Sequence, residues 1–121
     1  MIARLWHGTT QAEQADKYLE FLNETGIVDY RGTSGNMGAY ILRRIENDTA
    51  HFMTLSYWRS LDAIKRFAGN DPEKAKYYTE DAEFLLTFEP RVQHFELFGG
   101  SERSHRADRF REIRRGLPRW W

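Results

Sequence analysis

The chain contains no cysteine. That excludes a disulfide framework, thiolate metal ligands and a cysteine nucleophile. It has no apolar run of membrane length, and its first residues, MIARLWHG, lack the uninterrupted apolar segment of a secretory signal. A cytoplasmic protein with no membrane partner is therefore expected. Net charge is also missing, since 18 Lys and Arg balance 18 Asp and Glu. The balance is uneven along the chain: residues 1–99 carry 11 basic against 15 acidic side chains, a net −4, and residues 100–121 carry 7 against 3, a net +4. Gly99 and Gly100 mark the break, so one domain is expected over 1–99 and a basic C-terminal extension over 100–121. The four histidines stand at no recognised metal spacing, and no helix follows residues 34–38 to make a phosphate-binding loop, so no metal is assigned.

Aromatic residues are plentiful, with 4 Trp, 6 Tyr and 8 Phe in 121 residues. A chain of this length builds a single two-layer core. So many rings beside 30% charged residues suit a folded domain with a large interior or an oligomer interface, and argue against disorder.

The hydrophobic period changes from two to about three and a half within residues 49–67, TAHFMTLSYWRSLDAIKRF. A strand runs into a helix there: Phe52, Thr54, Tyr57 and Trp58 favour extended backbone, Ser60 can cap, and Leu61, Ile64, Phe67 and Ala68 recur at helical spacing until Gly69. Before it, residues 2–8 read as a first strand with Ala3, Leu5 and His7 on one face and Ile2, Arg4 and Trp6 on the other. Thr10 to Glu13 has capping-box form, and the following helix carries Ala12, Ala15, Leu19 and Leu22 up to Gly26. Residues 28–38 lose all periodicity and read as a loop.

Residues 37–46 and 49–58 form a hairpin about Asn47 and Asp48. With Glu46 opposite Thr49, Arg44 pairs with His51, Leu42 with Met53 and Tyr40 with Leu55. Asp71 and Pro72 then restart helical structure that runs through Leu85, with Tyr77, Asp81 and Phe84 on one flank. Residues 91–98 make the last strand. The order is that of a ferredoxin-like βαββαβ fold, α+β in class, with an antiparallel four-stranded sheet and both helices on one face. Both sheet faces carry large apolar residues, so the bare one is expected to bury itself against a second copy, making a homodimer.

The segments IARLWHG, DYRGTSGNMGAYILRR, LSYWRSLDAIKRFAG, KAKYYTEDAEFLL and EPRVQHFEL, spread over residues 2–98, resemble the antibiotic-biosynthesis monooxygenase (ABM) type of the dimeric α+β barrel superfamily. The resemblance implies a homodimeric barrel with a pocket between sheet and helices in each protomer. It also implies a choice among cofactor-independent oxygenases of aromatic molecules, heme-degrading enzymes and members without an assigned role. Heme degraders of this type have an Asn where this chain has His7, a heme-ligating His at the position of Tyr77 and a distorting Trp at the position of Phe67. All three positions differ. Tyrosinate can ligate ferric heme, so heme is retained as a third reading, behind a cofactor-independent one.

The expected cavity is bounded by His7, Trp58, Phe67, Tyr77, Tyr78 and Asp81, with His7 and Asp81 as the acid-base pair on opposite walls and the other four as substrate contacts. Each has a plainer reading. His7 could be a buried histidine satisfied by a carbonyl or carboxylate, Asp81 could order tyrosine hydroxyls, and the rings could be core or dimer interface. His51 and Arg44 read as interface or rim, and His94 as structural. The tail could form a short helix over Ala107, Phe110 and Ile113. It reads as an extension packed on the acidic body or its dimer mate ahead of a nucleic-acid arm. The expected function is a monooxygenase or oxidase acting on a small aromatic or apolar molecule, with a non-catalytic dimer that binds such a molecule as the alternative.

Overall fold

Alternation of side chains along the strands sets the architecture. In the computed structural model, which describes residues 1–101, β1 (Ile2–Gln11) is followed by a 3-10 turn at Ala12–Gln14, α1 (Ala15–Glu24) and α2 (Gly26–Gly32). The hairpin β2 (Asn36–Glu46) and β3 (Thr49–Trp58) comes next, then α3 (Leu61–Ala68), a 3-10 turn at Thr79–Glu83 and β4 (Gln93–Glu96). The sheet order is β2-β3-β1-β4 and each neighbouring pair is antiparallel. This is the ferredoxin-like arrangement. The expected tail helix lies outside the described residues.

One face of the sheet is covered by the helices. Arg4, Trp6 and Thr10 of β1 and Ala50, Phe52, Thr54, Ser56 and Trp58 of β3 are buried there. Trp6, Phe52, Tyr18 and Leu22 form one part of the core, while Trp58, Tyr30, Ile64 and Phe67 form the other. The Trp6 indole lies across Gly8, where a Cβ would stand 2.5 Å from two ring atoms. Any larger residue at Gly8 displaces the indole. The other face stays open: Tyr40, Leu42 and Phe95 are 41%, 46% and 50% exposed.

The hairpin register is the expected one, with Glu46 opposite Thr49, Leu42 opposite Met53 and Tyr40 opposite Leu55. Asn47 has φ 54°, which lets the two-residue turn close. The Ser60 hydroxyl accepts the Ala63 N–H at 3.2 Å, capping α3, and Gly69 at φ 93° ends it.

Elsewhere tertiary pairing overrides local signals. Thr10 belongs to β1 opposite Ala50, its hydroxyl donates to the Gln11 carbonyl at 3.0 Å, and the Ala12 N–H goes to the Asp48 carbonyl at 2.8 Å. No Thr10 capping box forms, because β3 already holds that backbone. Residues 28–32, read as loop, are helical in α2 and bury Tyr30. The helix expected from Asp71 to Leu85 is replaced by irregular chain and the short turn at Thr79–Glu83. Its backbone groups pair across to residues 90–92 instead: Ala75 N–H to the Pro90 carbonyl at 2.9 Å and Val92 N–H to the Glu73 carbonyl at 2.8 Å. The last strand is shorter than residues 91–98 for the same reason, its start being spent on this crosslink.

Candidate functional site

A pocket opens between the covered face of the sheet and the helical layer. Phe67, Tyr77, Tyr78 and Asp81, four of the six expected residues, meet on its wall. α3 presents Phe67 from its last turn, and the crosslinked segment before β4 presents the other three. Trp58 stands one layer back, fully buried against Tyr30 and Phe67, with its Nε1 donating to the Ser56 hydroxyl at 2.9 Å.

His7 is not in this pocket, which corrects the expected acid-base pair. Its face of β1, with Ala3 and Leu5, is the open one, because the helices cover the alternate residues Arg4 and Trp6. There His7 Nδ1 pairs with Glu89, and its Nε2 lies 3.2 Å from His51 Nδ1 in a stacked ring pair. His51 in turn stands 3.7 Å from Glu46. His7, His51 and Arg44, which pairs with Glu46, therefore belong to the open face.

Asp81 is 3% exposed and both of its oxygens are engaged. Oδ1 accepts the Tyr18 hydroxyl at 2.8 Å and Oδ2 accepts the Tyr78 N–H at 2.7 Å. The second bond caps the turn at Thr79–Glu83. The phenols around it are held neutral. Burial, then the charge of Asp81, pushes Tyr18 up, while burial and the hydrogen bond to Asp29 push Tyr78 up. Burial also raises Tyr77, whose oxygen accepts Trp6 Nε1 at 3.2 Å and donates to the Glu89 carbonyl.

The wall also includes Arg4, Tyr30, Thr54 and Lys76, none of them expected there. Tyr30 shares a hydrogen bond with the Thr54 hydroxyl at 3.0 Å and stacks on Phe67 at 4.4 Å. Two cations flank the Phe67 ring, Arg4 at 5.3 Å and Lys76 at 4.6 Å from its centroid. Lys76 is tied to Asp29 at 3.3 Å, half-exposed at the rim. One signal for Arg4 was present in the sequence: a charged residue alternating with Ile2 and Trp6 inside an otherwise apolar strand. The free space is about 30 Å³, room for about two water molecules. The pocket is therefore filled by its own side chains in this state.

Comparison with solved structures places the fold. The chain is similar to a protein of unknown function from Nitrosomonas europaea, with 13% identity, a TM-score of 0.59 and coverage of 86% of this chain and 95% of that one. It is similar also to a variant of MhuD carrying two manganese protoporphyrin IX per active site, with 16% identity, a TM-score of 0.54 and coverage of 84% and 99%. A third similar structure is a Bacillus cereus protein provisionally named an antibiotic biosynthesis monooxygenase, with 13% identity, a TM-score of 0.53 and coverage of 86% and 97%. The fold is shared with all three. No family model and no curated protein matches the sequence. The resemblance read from the sequence segments is thus one of fold at this level of identity.

Heme does not fit the residues present. Tyr77, the position of the heme-ligating His in the resemblance, has its oxygen bonded on both sides and its ionisation raised by burial, which opposes the tyrosinate a ferric iron would need. Among the described residues, no cluster of His, Asp or Glu suits a metal ion, and no helix is long and apolar enough to cross a membrane.

Proposed function

We propose that the protein is an ABM-like, cofactor-independent monooxygenase or oxidase of a small aromatic molecule, working as a cytoplasmic homodimer. The observation that carries this reading is the pocket itself. Aromatic walls from Trp6, Phe67 and Tyr30 surround buried polar groups, in a fold shared with a protein provisionally named a monooxygenase. Substrate enters past the rim at Lys76 and Tyr78, and Phe67, Tyr77 and Tyr78 hold its ring. Asp81 is the carboxylate on this wall and is the proposed base. It accepts the substrate's acidic proton when a ligand displaces one of its present donors. The electron-rich anion then bonds through carbon to dioxygen, and the proton held by Asp81 goes to the terminal oxygen of the resulting peroxide. Cleavage of the O–O bond with loss of water leaves the substrate carrying one new oxygen as a carbonyl. The protein's part is to desolvate and hold that anion.

Dimerisation is proposed through the open sheet face, where Leu42, Leu55, Met53 and Phe95 lie in one layer. Burying each is worth roughly 1.5–3 kcal/mol. In that assembly His7, paired with Glu89, and His51 stand at the interface, not in the pocket.

Oxygen uptake with phenolic and quinol substrates tests the catalytic reading. Asp81→Asn is expected to lower turnover about 100-fold or more. It should also cost about 1–3 kcal/mol of stability, because an amide cannot accept from both Tyr18 and the Tyr78 N–H. Normal turnover per folded molecule would make Asp81 purely structural. The non-catalytic alternative is favoured if no oxygen is consumed while small aromatic ligands raise the melting temperature. A Soret band on titration with hemin would revive the heme reading.

A further inference from the structure

Arg4 is 1% exposed in the middle of the sheet, and among the described residues it forms no ion pair with a carboxylate. Its Nη2 donates to the Lys74 carbonyl at 2.9 Å, but its Nε is buried with no partner. Asp81, on the same pocket wall, bonds to Tyr18 and the Tyr78 N–H and forms no ion pair with Arg4. A desolvated guanidinium without an anion is costly, and burial holds its ionisation below the ordinary arginine value. Next to Arg4 across the β1–β4 ladder, His94 Nε2 is also buried without a partner. Two residues paired across the ladder therefore each carry an unsatisfied buried nitrogen, and one of them, Arg4, lines the pocket.

We propose that Arg4 is the anchor of an anion subsite, so that the ligand of this pocket is a small aromatic oxyanion, a carboxylate or phenolate whose charged oxygen docks on the Arg4 guanidinium. The inference rests on the reading of the pocket as a ligand site. The free space of about 30 Å³ matches a carboxylate group in place of about two waters, with the ring of the ligand lying outward against Phe67. A planar guanidinium fork is suited to such a group, and hydrogen bonds to a charged partner are the stronger ones. For an oxygenase that works through a substrate anion, the same cation would hold the reacting charge. The opposing account makes Arg4 a structural peg, held by the Lys74 carbonyl and by its cation–π contact with Phe67.

Calorimetric titration with benzoate and with its neutral isostere benzamide separates these accounts in the full chain. Benzoate is expected to bind about tenfold tighter or more, and Arg4→Met is expected to abolish that preference while benzamide still binds. Benzamide binding as tightly as benzoate would leave the pocket reading standing and overturn the anion subsite. Failure of both to bind would overturn both readings. A preference that survives in Arg4→Met would place the anion elsewhere and also overturn the proposal. Should that variant not fold, Lys76→Met answers the same question: a retained preference supports Arg4 and a lost one assigns the anion to the rim.

Discussion

The two faces of the sheet are built from alternate residues of the same strands, and each mixes polar with apolar side chains. The helix-covered face contains Arg4, Thr10, Thr54 and Ser56, all buried, beside Trp6, Phe52 and Trp58. The open face presents Leu5, Met53 and Leu55, with Tyr40, Leu42 and Phe95 exposed. Some polar groups are thus buried beside the pocket, and several large apolar groups stay exposed on the open face next to His7, His51 and Arg44. Hydrophobicity alone therefore points to the wrong inner face for β1, which is why His7 beside Ala3 and Leu5 looked like a pocket residue.

The sharpest way to test this contrast is to truncate one large side chain on each face. Trp58→Ala is expected to cost about 3–5 kcal/mol in urea unfolding, because its fully buried ring packs on Tyr30 and Phe67. Leu42→Ala, on the open face, should change the stability of an isolated protomer by no more than about 0.5 kcal/mol. Similar costs for both, at concentrations where the protein is monomeric, would mean that the open face packs against something within the chain.

Charge placed on the open face should act on association rather than folding. Leu42→Glu combined with Phe95→Glu is expected to convert the proposed dimer into a folded species near 14.4 kDa by light scattering. An unaltered protein that already runs as a monomer would refute the sheet-to-sheet dimer. The pocket would be untouched by that result, since no residue from a second copy has been placed in it.

The smallest effect concerns His94, which lies on the covered side beside Arg4. Burial first, and then the Arg4 charge, lowers its pKa below the usual 6.5, with Glu73 acting in the opposite direction. The unfolded chain therefore binds more protons than the folded one just below that pH. Stability from this group is fully present above about pH 6.5 and is lost as pH falls through the lowered folded value. His94→Gln should flatten that part of the stability profile measured by denaturant midpoint. An unchanged slope would assign it to other groups.

The sequence by itself determined the elements that rest on local chemistry. The period-two run ending at Trp58, the Ser60 cap and the Gly69 stop fixed β3 and α3, and hairpin pairing followed once a two-residue turn was placed at Asn47 and Asp48. It also determined the strand-helix order that makes the fold ferredoxin-like, and Phe67, Tyr77, Tyr78 and Asp81, expected around one cavity, share a pocket wall. Tertiary structure decided what depends on partners distant in sequence. Residues 71–78 gave up a helical pattern because residues 90–92 supplied backbone partners, and Thr10 gave up a cap because β3 held it in a ladder. Which face of β1 lies under the helices was decided in the same way. Alternation defines two faces but gives no sign to them, and only packing against α1, α2 and α3 put Arg4 inside and His7 outside.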